Sequence, residues 1–226
     1  MSYETLVLLS VSAWGLIMGS AVTAIAYRIP RGTSWVHGRS ACPACGHTLG
    51  FLDLVPVLSF LASRGRCRHC QVRIPLRYPV TELLCLSWAL LLYRHVGLGW
   101  DFVLLSIWGF LMIALTWIDL DFQLLPDALT FPGTLVAVAA ALQWPDGARH
   151  ALLGVLFGSG LLWALAWGYF KLRKIEGMGG GDIKLAAMFG AVLGWQLTLL
   201  TLFLASLAGS LWGDGWMQAY FKLLRP

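Results

Sequence analysis

The segment Gly177-Met178-Gly179-Gly180-Gly181-Asp182-Ile183-Lys184-Leu185 joins four glycines and one acid to the start of a long apolar run. Glycine permits positive φ angles and lets another chain approach closely. No further charge follows Lys184 until Asp214. An acid at the mouth of such a run is costly to place and indicates a functional site. The structural alternative is a glycine-rich turn whose aspartate caps the next helix.

The composition is that of a membrane protein. The 226 residues are 58% hydrophobic and 12% charged, and the mean hydropathy is +0.74. Soluble domains carry about 25% charged residues, so the lipid bilayer is the expected surroundings. Twelve tryptophans suit the aromatic belts at membrane interfaces. The net charge of +5 is spread over loops, which favours membrane topology and predicts no nucleic-acid partner. We expect no cleavable signal peptide, because only Glu4 precedes the first apolar run.

Charge-free intervals predict an all-α, polytopic fold with about seven transmembrane helices, since a span needs about 20 apolar residues. The intervals are 5–27, 102–118, 128–145, 150–170 and 185–213, with a further run at 78–93 that only Glu82 interrupts. The interval 185–213 is too long for one helix, and Gly194-Trp195-Gln196 near its middle predicts a turn between two short helices. This divides the chain into a first helix (1–27), a polar segment (28–77) and a transmembrane core (78–226).

The basic residues predict the orientation in the membrane. Eight of the 16 lie between Arg28 and Arg77, and four more lie at 171–184. The positive-inside rule assigns both segments to the cytoplasmic side. With seven spans, Asp119 ends the third span and Asp182 opens the sixth on that same side. The two acids can therefore meet at one membrane surface.

The polar segment carries two CxxC pairs separated by 21 residues: Cys42 with Cys45, and Cys67 with Cys70. This spacing predicts a structural zinc ion held by four thiolates. A metal staple suits about 50 residues that cannot build a large core. Disulfides are disfavoured in the cytoplasm, and a redox pair would not need two copies. His47 and His69 are possible substitute ligands, and Cys85 is assigned to packing.

Three acids, Asp119, Asp121 and Asp127, lie within nine residues. Asp119 and Asp121 point in different directions on a helix, so only one is expected to face the bundle. Asp121 could be solvated at the interface, and Asp127 is predicted to cap the following helix. Two close carboxylates share one proton and can activate water while polarising a carbonyl group, which indicates aspartic peptide hydrolysis. The alternative is a set of structural ion pairs with Lys184, Arg173 or Lys174.

The chain resembles the type IV prepilin peptidases, membrane aspartic proteases of the Gly-x-Gly-Asp type. The resemblance rests on a series of motifs that runs over nearly the whole chain. They are Gly19-Ser20, Tyr27-Arg28-Ile29-Pro30, the two CxxC pairs, Asp53 to Pro56 with Leu58-Ser59, Arg64-Gly65-Arg66, Arg77-Tyr78-Pro79 with Glu82, Ile118-Asp119 with Leu125-Pro126-Asp127, and 179–185.

The resemblance implies that Asp119 and Asp182 are the catalytic pair. It also implies that the substrates are type IV prepilins or type II secretion pseudopilins. Their short basic leaders are cut at the cytoplasmic face of the bacterial inner membrane. Many members also methylate the new N-terminus with S-adenosylmethionine, using the cysteine-containing segment. No glycine-rich cofactor fingerprint supports that activity independently, so no cofactor-binding residues are assigned.

The chain departs from the family pattern at two places. Ala21-Val22-Thr23 replaces the common Phe-Leu-Asn, and Leu54 follows Asp53 where the family commonly has asparagine. Both changes lie in or beside the cysteine-containing segment, so they bear on methylation rather than on the acid pair. Glu82 is expected to pair with Arg77 or Arg73, or to contact the leader or the methylation site.

Three other classes of function are weighed against the peptidase. The first is a non-catalytic zinc-binding scaffold of a pilus or secretion system, which should tolerate Asp→Asn at both sites. The second is a methyltransferase without cleavage. The third, a metal-dependent intramembrane protease, is disfavoured because the sequence has no HExxH helix.

Overall fold

The computed structural model describes residues 2–34, 38–175 and 178–223, and the side chains only as far as Leu211. This part of the chain is helical and contains no β-strand. The seven α-helices are α1 (Tyr3–Arg28), α2 (Leu58–Ala62), α3 (Arg77–Val96), α4 (Trp100–Phe122), α5 (Asp127–Ala141), α6 (Gly147–Arg173) and α7 (Gly180–Leu223). Glu176 and Gly177, the latter at the start of the glycine-rich motif, lie outside the described residues.

Four helical stretches are long and apolar enough to cross a membrane: Tyr3–Arg31, Trp100–Phe122, Gly147–Arg173 and Gly180–Leu211. Helix α5 is apolar but shorter. The helical, membrane-protein character of the chain is thus confirmed, whereas the predicted number of seven spans is not.

Helix α7 reverses direction at Gly194, where the backbone takes φ 72° and ψ 174°. A Cβ built on Gly158 of α6 would lie 3.0 Å from the Ala186 carbonyl oxygen and 2.8 Å from the Thr198 side chain. In a straight helix, residues 186 and 198 would be about 18 Å apart, so the chain must fold back between them. The predicted turn is therefore present, and α7 consists of two antiparallel helical halves.

Small residues let the helices pack closely. A Cβ on Gly15 or Gly19 of α1 would lie under 3.0 Å from the α3 backbone, and Gly109 of α4 accommodates the Trp88 ring. The fully buried core includes Phe110, Leu115 and Ile118 of α4 and Met188 of α7. Cys85 is also fully buried among these helices, as its packing assignment predicts. Helix α5 packs against both α4 and α7, and Trp108 of α4 donates a hydrogen bond to the Met188 carbonyl of α7 at 3.2 Å.

Candidate active site and metal centre

The two CxxC pairs form two similar loops. In the first loop the Cys42 N–H donates to the His47 carbonyl at 2.9 Å, and in the second the Cys67 N–H donates to the Val72 carbonyl at 2.9 Å. The residue after the second cysteine has a positive φ in both loops, 69° at Gly46 and 59° at Gln71. This repeated geometry turns both cysteines of each loop towards the same point.

The four sulfur atoms of Cys42, Cys45, Cys67 and Cys70 all lie within 4.8 Å of one another. The Sγ atoms of Cys42 and Cys70 are 3.8 Å apart. A tetrahedral zinc ion with Zn–S bonds of about 2.3 Å requires sulfurs about 3.8 Å apart, so the cluster is close to the geometry of a four-thiolate zinc site. The rings of His47 and His69 stack on each other with centroids 3.4 Å apart. Neither histidine belongs to the ligand cluster.

The thiols of this cluster differ in acidity. The backbone N–H groups of Cys70 and His69 donate to the Cys67 sulfur and lower its pKa to about 7. The Val72 N–H lowers the pKa of Cys70, but burial and the neighbouring cysteines outweigh it and raise that pKa to about 11. Because neighbouring thiolates repel one another, binding of a metal ion would release the protons of these thiols and stabilise the charged sulfurs.

A carboxylate of α3 attaches the segment between the CxxC pairs to the membrane helices. The Val57 N–H donates to Glu82 Oε2 at 2.7 Å. Val57 takes φ 61° and ψ −49°, and the Leu58 N–H donates to the Pro56 carbonyl at 2.6 Å, which is the geometry of a classic γ-turn. The predicted partners of Glu82, Arg77 and Arg73, are wrong, because the carboxylate binds a strained backbone turn instead. Nothing in the sequence around Val57 signals this turn.

Asp119 lies in the last turn of α4, which ends when Gln123 takes a left-handed conformation. Asp182 lies in the first turn of α7. Both carboxylates are exposed, and the charge of Asp182 acts on Asp119. Among the described residues, neither acid takes part in an ion pair. The structure thus brings the two predicted acids to one surface without a cation to neutralise either.

Gly181 sets the approach of α7 to the loop after α4. A Cβ on Gly181 would lie 2.9 Å from the Leu125 Cβ. A Cβ built on Gly179 or Gly180 would have no neighbouring atom within 4 Å. Of these three glycines, only Gly181 is required by packing, and it directly precedes Asp182. Leu125 was not singled out as a site residue, although it belongs to the Leu125-Pro126-Asp127 motif.

Asp121 is held away from Asp119 by an ion pair with Arg77 of α3. Both side chains are largely buried, with 15% of the Arg77 side chain and 13% of the Asp121 side chain exposed. The Arg77 guanidinium also lies over the Trp117 ring, 4.9 Å from its centroid. Solvation of Asp121, which was the sequence-based alternative, is therefore wrong, and the acid has a structural partner.

Asp127 is the first residue of α5 rather than its N-cap, which is Pro126, and no side chain caps the helix. The predicted capping role is therefore wrong. Instead, Asp127 Oδ1 accepts a hydrogen bond from Lys184 Nζ at 2.5 Å, and this pair joins α5 to α7. Lys184 is thereby turned to Asp127 although it lies only two residues after Asp182.

Two family models match the chain. The bacterial peptidase A24 N-terminal domain matches residues 13–96, and the type IV leader peptidase family matches residues 102–213. The boundary between the two matches falls in the short connection between α3 and α4. No solved structure matches the chain.

Several curated relatives carry the name prepilin leader peptidase/N-methyltransferase. The Aeromonas salmonicida protein is 41% identical over 180 residues, which are 78% of this chain and 61% of that protein. The Myxococcus xanthus protein is 38% identical and is covered to 60% of its length. The Pseudomonas aeruginosa protein is 35% identical over 225 residues, and the match covers 77% of that protein's length. The chain thus spans about three fifths of the first two relatives. With both matches and this identity, the chain belongs to the type IV leader peptidase family.

Proposed function

We propose that the protein is a membrane aspartic endopeptidase in which Asp119 and Asp182 remove the basic leader from type IV prepilins or type II secretion pseudopilins. The observation that carries the proposal is the arrangement of these two acids. They come from different helices, lie at one surface and have no cation partner among the described residues. The relatives' printed name adds the substrate class.

The proposed chemistry needs one proton shared between the two carboxylates, because two adjacent negative charges repel each other. The ionised carboxylate takes a proton from water as the water oxygen attacks the scissile carbonyl carbon. The protonated carboxylate donates its proton to the carbonyl oxygen, which gives a neutral tetrahedral intermediate. When the C–N bond breaks, a proton moves to the leaving nitrogen, and the products are a carboxylic acid and a free amine.

The neighbouring acids keep the pair free of competing partners in this proposal. Asp127 binds Lys184 and Asp121 binds Arg77, so these two cations are paired with other acids. A cation bound directly to Asp119 or Asp182 would favour the doubly ionised state and remove the shared proton. This distribution of charge supports catalysis over the ion-pair alternative.

We assign the zinc ion a structural role, held by Cys42, Cys45, Cys67 and Cys70. A shell of four sulfurs leaves no open position for a substrate or water. When bound, zinc supplies the cross-link that the two loops need to hold their shape. The inner membrane is the proposed location, with the two acids at its cytoplasmic face.

N-methylation of the new N-terminus with S-adenosylmethionine is a second candidate activity, because the relatives' printed name includes it. The described residues contain the cysteine segment that the family resemblance connects with it. The replacements at Ala21-Val22-Thr23 and Leu54 lie in or beside this segment, so methylation requires its own measurement.

The test is cleavage of a purified prepilin by wild type, Asp119→Asn and Asp182→Asn, followed by mass spectrometry of the product. Asp146→Asn is the matched control, because Asp146 is exposed at the start of α6 and asparagine tolerates its left-handed backbone. We expect no product from either Asp119→Asn or Asp182→Asn and normal product from the control. A product mass raised by one methyl group with S-adenosylmethionine would establish the second activity.

Unchanged cleavage by both Asp→Asn variants would overturn the aspartic mechanism. If no prepilin is cut by wild type either, while Cys67→Ser abolishes assembly of a pilus, the scaffold function would replace the proposal. Asp121→Asn is included as a third variant, and we expect it to lower stability through Arg77 rather than to abolish the chemistry.

A further inference from the structure

The segment between the two CxxC pairs exposes an unusual run of large apolar side chains. It contains a 3-10 turn (Phe51–Asp53) and α2. Phe51 is 84% exposed, Leu58 is 65% exposed and Leu61 is 63% exposed, and Leu52 and Leu54 are exposed as well. We call residues 51–61 the apolar insert. It lies outside every charge-free interval that predicted a membrane span.

The apolar insert has an inner and an outer side. The Phe60 ring packs inward on Gly65, where a Cβ would lie 2.9 Å from the ring. Leu58 and Leu61 are three residues apart on α2 and so project from one side of it. On that outer side, about two thirds of each leucine side chain is exposed.

The pairing of α1 with α3 gives the depth at which the insert is held. A Cβ on Gly15 would lie 2.8 Å from the Leu86 Cα, and one on Gly19 would lie 2.6 Å from the Glu82 Cα. The two helices are therefore antiparallel, and Glu82 is level with Gly19. Arg28, the first charge after Gly19, lies nine positions further along α1, which is about 14 Å along the helix axis.

The Glu82 carboxylate binds the Val57 N–H at 2.7 Å, in the middle of the apolar insert. Helical side chains lean towards the N-terminus of their helix, and the N-terminus of α3 lies towards the Arg28 end of α1. Val57 is therefore held at a level between Gly19 and Arg28, which is within the charge-free length of α1. This bond keeps the middle of the apolar insert against α3.

The charges around the insert fit the same position. Exposed Arg64, Arg66 and Arg73 follow it along the chain. Basic residues beside an apolar surface suit the anionic lipid headgroups at a membrane interface. The one acid within the insert, Asp53, is paired with Arg68 at 3.4 Å.

We propose that the apolar insert lies in the membrane interface, with Leu58 and Leu61 against the upper part of the lipid acyl chains. Glu82 fixes it there through Val57, and the arginines contact lipid headgroups. Interfacial helices of this kind bury their apolar face about 5–10 Å into the headgroup and acyl boundary. The inference concerns the lipid contact alone and holds whether or not the protein cleaves prepilins.

The test is photocross-linking of the full chain in nanodiscs that contain phosphatidylethanolamine and phosphatidylglycerol. Benzoylphenylalanine is placed singly at Phe51, Leu58 or Leu61, and adducts are detected by intact mass. Leu152, exposed on α6, is the lipid-facing reference, and Thr48 and Gln71, exposed on the zinc loops, are the aqueous controls. Zinc content and melting temperature show that each labelled chain is folded.

We expect lipid adducts at Leu58 and Leu61 within about twofold of Leu152, and less than a tenth of that yield at Thr48 and Gln71. Fragmentation should place the adducts near the glycerol end of the acyl chain. Adduct yields at Leu58 and Leu61 that match those at Thr48 would overturn the proposal. Adducts with a second copy of the chain would also overturn it, because the outer side would then be a protein interface.

Discussion

The backbone of Gly181 packs directly against Leu125, so that a Cβ on the glycine would lie 2.9 Å from the Leu125 Cβ. This contact joins the start of α7, which carries Asp182, to the loop that follows α4, which carries Asp119. The spacing of the two acids therefore depends on a glycine that has no side chain of its own.

Replacing Gly181 with alanine should displace the start of α7 from Leu125. Overpacking of this kind costs about 1–3 kcal/mol, and a displacement of about 1 Å at reacting groups can lower a rate about 100-fold. We expect a large loss of cleavage rate with a modest fall in melting temperature. Gly179→Ala and Gly180→Ala are matched controls, because their Cβ atoms meet nothing within 4 Å.

A compensating change distinguishes packing from a special chemical role of the glycine. Leu125→Ala keeps the offending Cβ and should not restore the activity of Gly181→Ala. Leu125→Gly removes it and should restore part of the rate. If all three glycine variants behave alike, the Gly181–Leu125 contact does not set the site.

The two ion pairs near the acids should differ in their contribution to stability. Removing one member of the largely buried Arg77–Asp121 pair with Arg77→Met leaves a carboxylate without its partner, which costs about 3–5 kcal/mol. Breaking the exposed Asp127–Lys184 pair with Lys184→Met should cost at most about 1 kcal/mol. Thermal unfolding in detergent measures both. A double variant, Arg77→Met with Asp121→Leu, should recover much of the first loss, and equal effects of the two single variants would contradict the assignment.

Variants of Glu82 and Val57 can separate the contribution of their hydrogen bond to stability from the cost of the Val57 turn. Glu82→Met removes the acceptor of the Val57 N–H, whereas Glu82→Gln keeps a carbonyl oxygen in its place. The positive-φ γ-turn conformation of Val57 costs about 1–3 kcal/mol, and glycine reaches positive φ without a Cβ clash. We expect Glu82→Met to destabilise the protein and Val57→Gly to restore stability in that background. Failure of Val57→Gly to help would mean that the turn is not what Glu82 stabilises.

We expect zinc binding to depend on Cys42, Cys45, Cys67 and Cys70 and not on Cys85. We expect Cys67→Ser to lower the zinc content from one ion per chain towards zero and to lower the melting temperature. Cys85→Ala should keep the zinc, because Cys85 is buried among the helices and lies outside the sulfur cluster. Metal analysis of the purified proteins gives the answer, and full zinc content in Cys67→Ser would remove that residue from the site.

The reversal of α7 depends on Gly194 and on the ring that packs over it. His150 Nε2 lies 3.1 Å from the Val192 carbonyl oxygen, and a Cβ on Gly194 would lie 2.4 Å from the His150 ring. Gly194→Ala should therefore destabilise the protein through both the clash and the positive φ. Gly209→Ala is the control, because its Cβ meets nothing within 4 Å. Equal melting temperatures would contradict this role for Gly194.

Composition and local pattern were enough to predict several features of this protein. Hydropathy identified a helical membrane protein, because charge-free runs of span length have few other uses. The CxxC spacing identified the four-cysteine cluster, since two residues between cysteines allow both sulfurs to reach one ion. The turn near Gly194 followed from a run too long for one helix.

Only the tertiary structure decided which partner each charged group takes. Sequence reasoning misassigned Glu82, Asp121 and Asp127, because their partners Val57, Arg77 and Lys184 are 25, 44 and 57 residues away. Local spacing has no information on contacts at such a distance. The structure also brought Asp119 and Asp182 to one surface, through the Gly181–Leu125 contact and through α5, which packs against both α4 and α7. The sequence by itself determined which charged groups were available, and the packing of the helices determined which of them have an ion-pair partner among the described residues.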